Sequence, residues 1–351
     1  MTLRTAGPAV KFAVLGVDHI HIYRMTEDMV AAGGVLTGWW TRGDPEPATG
    51  ALRALPANLR RADYRTLLDD PAIDLVLVGA MPAERASLAV DALRSGKDVV
   101  SDKPGATTLD DLARVRQASA AAARFWSVNF SERYNIRAAA KATEIIGTGV
   151  IGEVIQTVGL GPHRGLLDSR QPWFFRRETG GGILCDLASH QIDNFIHFTG
   201  SRLPQLVTSA VGNFTRPEHP EFEDFGEVLL RSERASGYAR VDWLTPDAQP
   251  YASDSRLTIL GTHGTIEIRK YVDLGGRPGG DHLFVVHDAV CDRIDCTSVP
   301  LRHFEEIARD IRERSSTSEP QGHSFLVTEL AIRAQQSAQR MGHLSSPACD
   351  R

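Results

Sequence analysis

The spacing of apolar residues changes character part-way along this chain. Up to residue 128, short β-branched runs alternate with longer stretches whose apolar residues recur at helical spacing. Residues 10–15, 35–40, 75–78, 98–101 and 125–128 read as buried strands. Residues 20–32 and 83–95 read as helices, stopped by Gly33-Gly34 and by Gly96. Thr107 and Thr108, followed by Asp110, open a third helix that ends near Ala123. Strands and helices alternating at this interval predict an α/β domain with a doubly wound parallel sheet.

Beyond residue 130 the strands crowd together. Residues 136–146 read as a helix. Residues 153–160, 205–211, 227–231, 238–243, 256–260 and 265–269 then read as strands with few helices between them. That pattern predicts an α+β domain with a large, open, mostly antiparallel sheet. Helices over 303–314 and 324–341 close the pattern. A chain of 351 residues is long for one core. The division expected is a dinucleotide-binding domain over 9–129 and a substrate and oligomerisation domain over 130–342. The C-terminal helices are able to pack back on the first domain, and 343–351 form a tail. Strands outnumber helices in the second domain, so one apolar sheet face needs a cover, and a homodimer or homotetramer is expected.

Composition narrows the class. The formal charge of −5 comes without a basic stripe, so no nucleic-acid partner is expected. No apolar run reaches membrane length and no signal segment opens the chain, so no membrane partner is expected. Cys185, Cys291, Cys296 and Cys349 form no C-x-x-C pair and read as reduced thiols of a cytoplasmic protein.

Three motifs carry chemistry. Gly180-Gly181-Gly182 breaks the chain before an apolar helical pattern holding Asp186, His190 and Asp193. On a helix Asp186 and His190 share a face. A carboxylate stacked on an imidazole behind a flexible entry suits proton transfer. A buried helix in which the two only satisfy each other reads equally well from these residues alone. The second motif is Asp102-Lys103-Pro104 at the end of a strand. Proline stops the strand and leaves Lys103 at the carboxyl edge, where open α/β sheets bind ligands. The third is the turn after the first strand, Gly16-Val17-Asp18-His19-Ile20-His21. A dinucleotide fingerprint wants glycines where Asp18 and His21 stand. The second strand ends Trp39-Trp40-Thr41-Arg42, without the acid that holds a ribose 2′-hydroxyl. Arg42 could meet a 2′-phosphate, which leans the cofactor from NAD towards NADP.

Together these motifs resemble the glucose–fructose oxidoreductase/inositol dehydrogenase (Gfo/Idh/MocA) family. Its Glu-Lys-Pro motif appears as Asp102-Lys103-Pro104, and its Asp-x3-His helix as Asp186 and His190 behind the triple glycine. Gly149-Val-Ile-Gly-Glu153 and Gly261-Thr-His-Gly264-Thr-Ile-Glu267 resemble two further family segments, whereas Arg85 stands about where many members carry histidine. The resemblance implies an N-terminal Rossmann domain and a C-terminal open-sheet domain. It implies hydride transfer between NAD or NADP and a carbinol of a sugar, polyol or sugar acid. His190 is then the base, Asp186 its orienting partner and Lys103 the holder of the reacting oxygen, in a cleft between the domains. Gly16, Asp18, His19, Ile20, Arg42, Gly79, Met81, Asp102 and Lys103 are the expected cofactor contacts. By position, Asn129, Arg133, His163, Trp173 and Arg176 join Asp186 and His190 as expected substrate contacts. Two rival readings stand beside this one. Asp18 and His21 spoil the phosphate loop, which suits a regulatory protein with weak cofactor binding. Asp186, His190, Asp193 and His197 lie at helical spacing, which suits a metal-dependent enzyme. His197 sits among apolar residues, so no metal is expected.

Overall fold

The computed structural model describes residues 8–48, 53–273, 275–319 and 322–341. The expected tail over 343–351, with Cys349, lies outside the described residues. In chain order the first elements are β1 (Lys11–Val17), α1 (His21–Ala31), β2 (Val35–Trp40), α2 (Arg65–Leu68), β3 (Leu75–Gly79), α3 (Pro82–Arg94), β4 (Asp98–Asp102), α4 (Leu109–Ala122), β5 (Trp126–Asn129) and α5 (Ser131–Tyr134). Then follow α6 (Arg137–Gly147), β6 (Val154–Pro162), α7 (Arg177–Gly180), α8 (Ser189–Thr199), β7 (Gln205–Gly212), β8 (Phe225–Arg231) and β9 (Ser236–Asp242). The last are β10 (Arg256–Gly261), β11 (Gly264–Arg269), β12 (His282–His287), β13 (Val290–Ile294), α9 (His303–Glu313), α10 (His323–Ser337) and β14 (Gln339–Met341).

The chain forms two compact units. The first comprises the described residues up to Asn135 with Glu178–Gly181 and Pro300–Glu329; the second comprises Ile136–Arg177, Gly182–Val299 and the described residues from Leu330.

In the first unit five strands pair in the order β2-β1-β3-β4-β5, all parallel. Strands β3 and β4 are buried at every position, as strands covered on both faces must be. A single parallel bridge between Trp39 and Arg60 adds a rudimentary strand outside β2. Counting it, the strand order is the 3-2-1-4-5-6 of dinucleotide-binding folds, with the reversal of direction between β1 and β3. Thr108 caps α4, its side chain accepting from the Asp111 N–H. Phe304, Ile307, Ala308 and Ile311 of α9 share one core cluster with Phe12, Val14, Ile22, Met25 and Met29. The first unit thus draws part of its core from far along the chain.

In the second unit nine strands pair in the order β13-β12-β11-β10-β6-β9-β8-β7-β14. Only the β6/β9 and β7/β14 pairs are parallel. One face is apolar and packed: Leu257, Ile259, Ile266, Ile268, Leu283 and Val285 cluster with Ala138, Ala139 and Ala142 of α6. Gly237 is required on β9, because a Cβ there would lie 2.6 Å from Phe195 Cδ2 of α8.

Three local expectations are corrected. The helix expected over 324–341 stops at Ser337, and Gln339–Met341 pairs with β7 instead. The β12/β13 hairpin was not expected, since β13 is an edge strand with no buried position. The helix entering at residue 183 begins as a π turn over Leu184–Ala188, so Asp186 and His190 do not sit on one regular α-helix. π turns are rare and recur at functional sites.

Candidate active site

The carboxyl edge of the parallel sheet is built by backbone crowding. Gly16 has φ of +82°, and a Cβ there would lie 2.3 Å from the Ala80 Cα. A Cβ on Gly79 would lie 2.7 Å from the Ile22 Cβ. The tight turn and the close approach of α1 to β3 therefore come from Gly16 and Gly79. Asp18 donates its N–H to the Gly79 carbonyl at 3.1 Å. Burial and the neighbouring Glu84 push its carboxyl up to about 6, against the pull of Arg85, a Met81 N–H bond and Arg42. A raised carboxyl opposes folding once ionised, so this group withdraws stability as pH climbs from about 4 through 6. Arg42 is exposed and its Nε lies 3.2 Å from Glu84 Oε1, so this expected 2′-phosphate partner carries its own carboxylate.

At the end of β4 one carboxylate gathers four groups. His19 Nδ1 lies 2.8 Å from Asp102 Oδ2, and His21 Nδ1 lies 3.1 Å from Oδ1. Arg85 Nη2 lies 3.3 Å from Oδ2, and the Lys103 N–H donates to Oδ1 at 2.8 Å. Asp102 and Arg85 are both wholly buried. Arg85 also donates through Nε to the Ala80 carbonyl at 2.7 Å and through Nη1 to the carbonyls of Lys103 and Pro104. It ties the β3–α3 turn to the strand end that carries Lys103. Burial pushes the Asp102 carboxyl up, but His21, Arg85 and His19 outweigh it and hold the group well below the usual carboxylate range. Burial drives the His19 imidazole down to about 3, so it is neutral at physiological pH. Among the described residues, His19, His21 and Asp102 are the one set of three whose candidate ligand atoms lie within 4.8 Å of one another. Their contacts have hydrogen-bond length, and Arg85 supplies the countercharge a cation would. The set is therefore a carboxylate hydrogen-bonded by His21 and the Lys103 N–H, with His19 in close contact.

In the second unit the entry to the Asp186/His190 segment is fixed by remote side chains. The first N–H groups of a helix lack partners within it. Here the Ile183 N–H donates to Glu223 Oε2 at 3.0 Å and the Leu184 N–H to Gln335 Oε1 at 2.8 Å. Gln335 Nε2 donates in turn to Glu223 Oε2 at 2.9 Å. Gly182, at φ +88°, admits this pair, since a Cβ would meet Gln335 Cδ at 2.4 Å. His190 and Asp193 are buried on α8, and Asp186 lies in the π turn. His197 meets Thr143 Oγ1 at 2.8 Å, so the four residues of the metal reading are not gathered into one ligand set.

The expected substrate contacts divide between the two units, Asn129 and Arg133 in the first and His163, Trp173 and Arg176 in the second. Asn129 ends β5 and is buried. Arg133 is buried too, with its guanidinium 4.0 Å from the Tyr134 ring and Nη2 3.3 Å from His323 Nε2. His163 sets Nδ1 3.1 Å from the Gly161 carbonyl and its ring 5.5 Å from Trp243. Trp173 stacks edge-on to Phe174 in the same aromatic group, which Arg170 covers; Arg176 is exposed. Sequence reasoning missed the anchoring of His21, the staple formed by Arg85, and the Glu223–Gln335 cap. The only signal available was a His-x-His in a strand-to-helix turn and an arginine inside an alanine-rich helix.

Comparison with known proteins decides the family. Residues 42–130 match a family described as oxidoreductase, NAD-binding Rossmann fold, and residues 139–267 match the GFO/IDH/MocA C-terminal domain. A crystal structure of a proposed oxidoreductase from Erwinia carotovora atroseptica is 39% identical with a TM-score of 0.87, over 95% of this chain and 100% of that one. The chain belongs to the GFO/IDH/MocA oxidoreductase family. Among curated GFO/IDH/MocA relatives, an uncharacterized oxidoreductase of Bacillus subtilis is 25% identical over 58% of each chain. The levoglucosan dehydrogenase of Pseudarthrobacter phenanthrenivorans is 29% identical over 50% of this chain and 45% of its own. The chain thus spans about half the length of these curated relatives. A structure of levoglucosan dehydrogenase with NADH, 18% identical with a TM-score of 0.75 over 94% of this chain and 98% of that one, shares the fold.

Proposed function

We propose that this chain is an NAD(P)-dependent oxidoreductase transferring a hydride between the nicotinamide and a carbinol of a sugar, polyol or sugar acid. The observation that carries the reading is the carboxyl edge of the parallel sheet. Gly16, Gly79 and the end of β4 meet at the strand-order reversal, where this fold class binds dinucleotides. The crowding at Gly16 and the start of α1 fit such a cofactor. Gly16, His19, Ile20, Gly79 and Met81 would hold it, the buried Asp102 would position the histidines behind them, and Arg42 is the candidate for a 2′-phosphate. Bound there, the nicotinamide supplies the hydride donor or acceptor. His190 takes or returns the hydroxyl proton, Asp186 orients it, and Lys103 holds the reacting oxygen and stabilises charge on it. Relatives named levoglucosan dehydrogenase, scyllo-inositol 2-dehydrogenase (NADP+) and D-xylose dehydrogenase support the substrate class. In a panel of polyols, aldoses and sugar acids, at least one is expected to reduce NAD+ or NADP+, read as absorbance at the reduced nicotinamide band. Asp18 favours a second reading, a regulatory member with weak cofactor affinity. Absence of NAD(H) and NADP(H) binding at millimolar concentration would select it.

We place this protein in the cytoplasm and propose a homodimer or homotetramer built on the nine-stranded sheet. The face opposite the packed one alternates outward Leu260, Val286 and Val207, each at least 36% exposed. Light scattering at micromolar concentration is expected to give twice or four times the chain mass; a monomer mass would remove the proposal.

A further inference from the structure

Residues 221–223 and Gln335, remote from each other in sequence, close on the neck of the triple-glycine loop. The residues they hold are Arg177, Ile183 and Leu184, and all of these belong to the second unit. Before the glycines, the Arg177 N–H donates to Glu221 Oε2 at 3.1 Å and its Nη2 to the Gln335 carbonyl at 2.7 Å. Its Nη1 lies 3.7 Å from Glu223 Oε1. After the glycines, the Ile183 N–H goes to Glu223 and the Leu184 N–H to Gln335. The two acceptors are joined to each other, since Gln335 Nε2 donates to both Glu223 oxygens, at 3.0 and 2.9 Å. Glu223 and Gln335 are only 4% and 3% exposed.

Glycine loses more conformational freedom on folding than any other residue, so three in a row leave the start of a helix undefined unless something outside holds it. What needs holding is the register. A π turn closes its hydrogen bonds one residue further on than an α turn. Rewinding Leu184–Ala188 as α would rotate every later side chain, His190 included, by about 100° around the axis. The apolar pattern of the segment fits either winding and does not choose. Two backbone donors assigned to two different side chains do choose, because a slip of one residue hands each acceptor the wrong N–H. A carboxylate at the positive end of a helix also makes the stronger kind of hydrogen bond. We propose that Glu223, joined to Gln335, is a positioning residue for the hydroxyl-proton step, setting the register of the π turn and with it the place of His190. This inference rests on His190 being the base, as in the reading above. Cys185 reports on the register. It lies inside the π turn and is wholly buried, and burial together with the Glu223 charge pushes its thiol up and keeps it protonated.

The test exchanges the two side chains in the full chain. Glu223→Gln alone sets one amide NH2 against another, and Gln335→Glu alone sets one carboxylate against another. The double exchange rebuilds the pair with its charge on the other side: the new amide accepts from Ile183 and donates to the new carboxylate, which accepts from Leu184. Each single variant is expected to lower kcat on the active alcohol at least about tenfold, with the Kd of NADH and NADPH within about twofold. Alkylation of Cys185 by iodoacetamide, followed by peptide mass spectrometry, should become at least about tenfold faster. Cys296, buried in the α6 core cluster, should stay unlabelled. The double exchange should bring kcat back to within about threefold of wild type and protect Cys185 again. Wild-type kcat in both single variants overturns the proposal and leaves the oxidoreductase reading intact. So does a loss of kcat that persists in the double exchange after Cys185 is protected again. If Cys296 labels in the single variants, they have unfolded, and the double exchange alone decides: wild-type kcat supports the proposal and a tenfold loss overturns it. If no alcohol, aldose or sugar acid is turned over by the wild type, the oxidoreductase reading fails, and the His190 ring resonance, identified by its loss in His190→Asn, decides the register. A resonance displaced in the single variants and returned in the double exchange supports it; an unmoved resonance overturns it.

Discussion

Replacing His190 with alanine is expected to slow turnover by roughly 10²–10⁴-fold while leaving cofactor affinity within about twofold. The residue sits at the start of α8, directly after the π turn that carries Asp186. It is buried, and the segment leading into it is held by the Glu223–Gln335 cap on the Ile183 and Leu184 N–H groups. In the proposed role His190 serves the chemical step and not the holding of the dinucleotide. Lys103→Met should lower the rate as well. If the two serve one reaction, the double variant should lose less than the product of the separate losses. Steady-state kinetics on the active alcohol, paired with fluorescence titration of the reduced cofactor, separates the effects. Wild-type turnover in the His190 variant would end its assignment as the base. Fully multiplicative losses would show that Lys103 and His190 act independently.

The second large effect is on stability. Arg85→Met is expected to destabilise the protein by about 3–5 kcal/mol, because it strands the buried Asp102 carboxylate without its guanidinium. It also removes the donors that satisfy the Ala80, Lys103 and Pro104 carbonyls. At roughly 2–4 °C per kcal/mol for a domain of this size, the unfolding midpoint should fall by about 6–20 °C. Arg85→Lys keeps the charge but not the fork and should fall between. Asp102→Leu in the Arg85→Met background should restore part of the loss, since the stranded charge is gone. Differential scanning calorimetry measures all of these. A midpoint shift under 2 °C for Arg85→Met would mean that histidines alone balance Asp102.

These two residues mark where the sequence was readable and where it was not. The parallel sheet was legible because β3 is an apolar run and β4 a short β-branched one, each set between helical patterns. Lys103 could be placed at a strand end because Pro104 must stop the strand. The Asp186/His190 segment was legible by type but not by geometry. A period of 3.6 and one π turn leave the same apolar residues buried, and only backbone hydrogen bonds tell them apart. Strand β13 escaped notice because an edge strand has nothing to bury. Residues 339–341 were read as helix because their composition suits one; pairing with β7 decides otherwise. The Asp102 cluster joins side chains from a turn, two helices and a strand. No local pattern announces such a set, so Arg85 read as a departure from the family and His21 as a defect in the loop.

The packing of α9 into the core of the first unit has a consequence for synthesis. Phe304, Ile307 and Ile311 cannot reach that core until they have left the ribosome. Residues up to Asn135 therefore emerge with their strands complete and their apolar layer open. At roughly 5–20 residues per second, the wait for α9 is about 10–35 s. During that interval the nascent sheet has exposed core, and whatever shields it must be something other than this chain's own last helices. The second unit's strands β6 to β13 appear within the same window. The half of the protein made first is thus completed after most of the half that follows it.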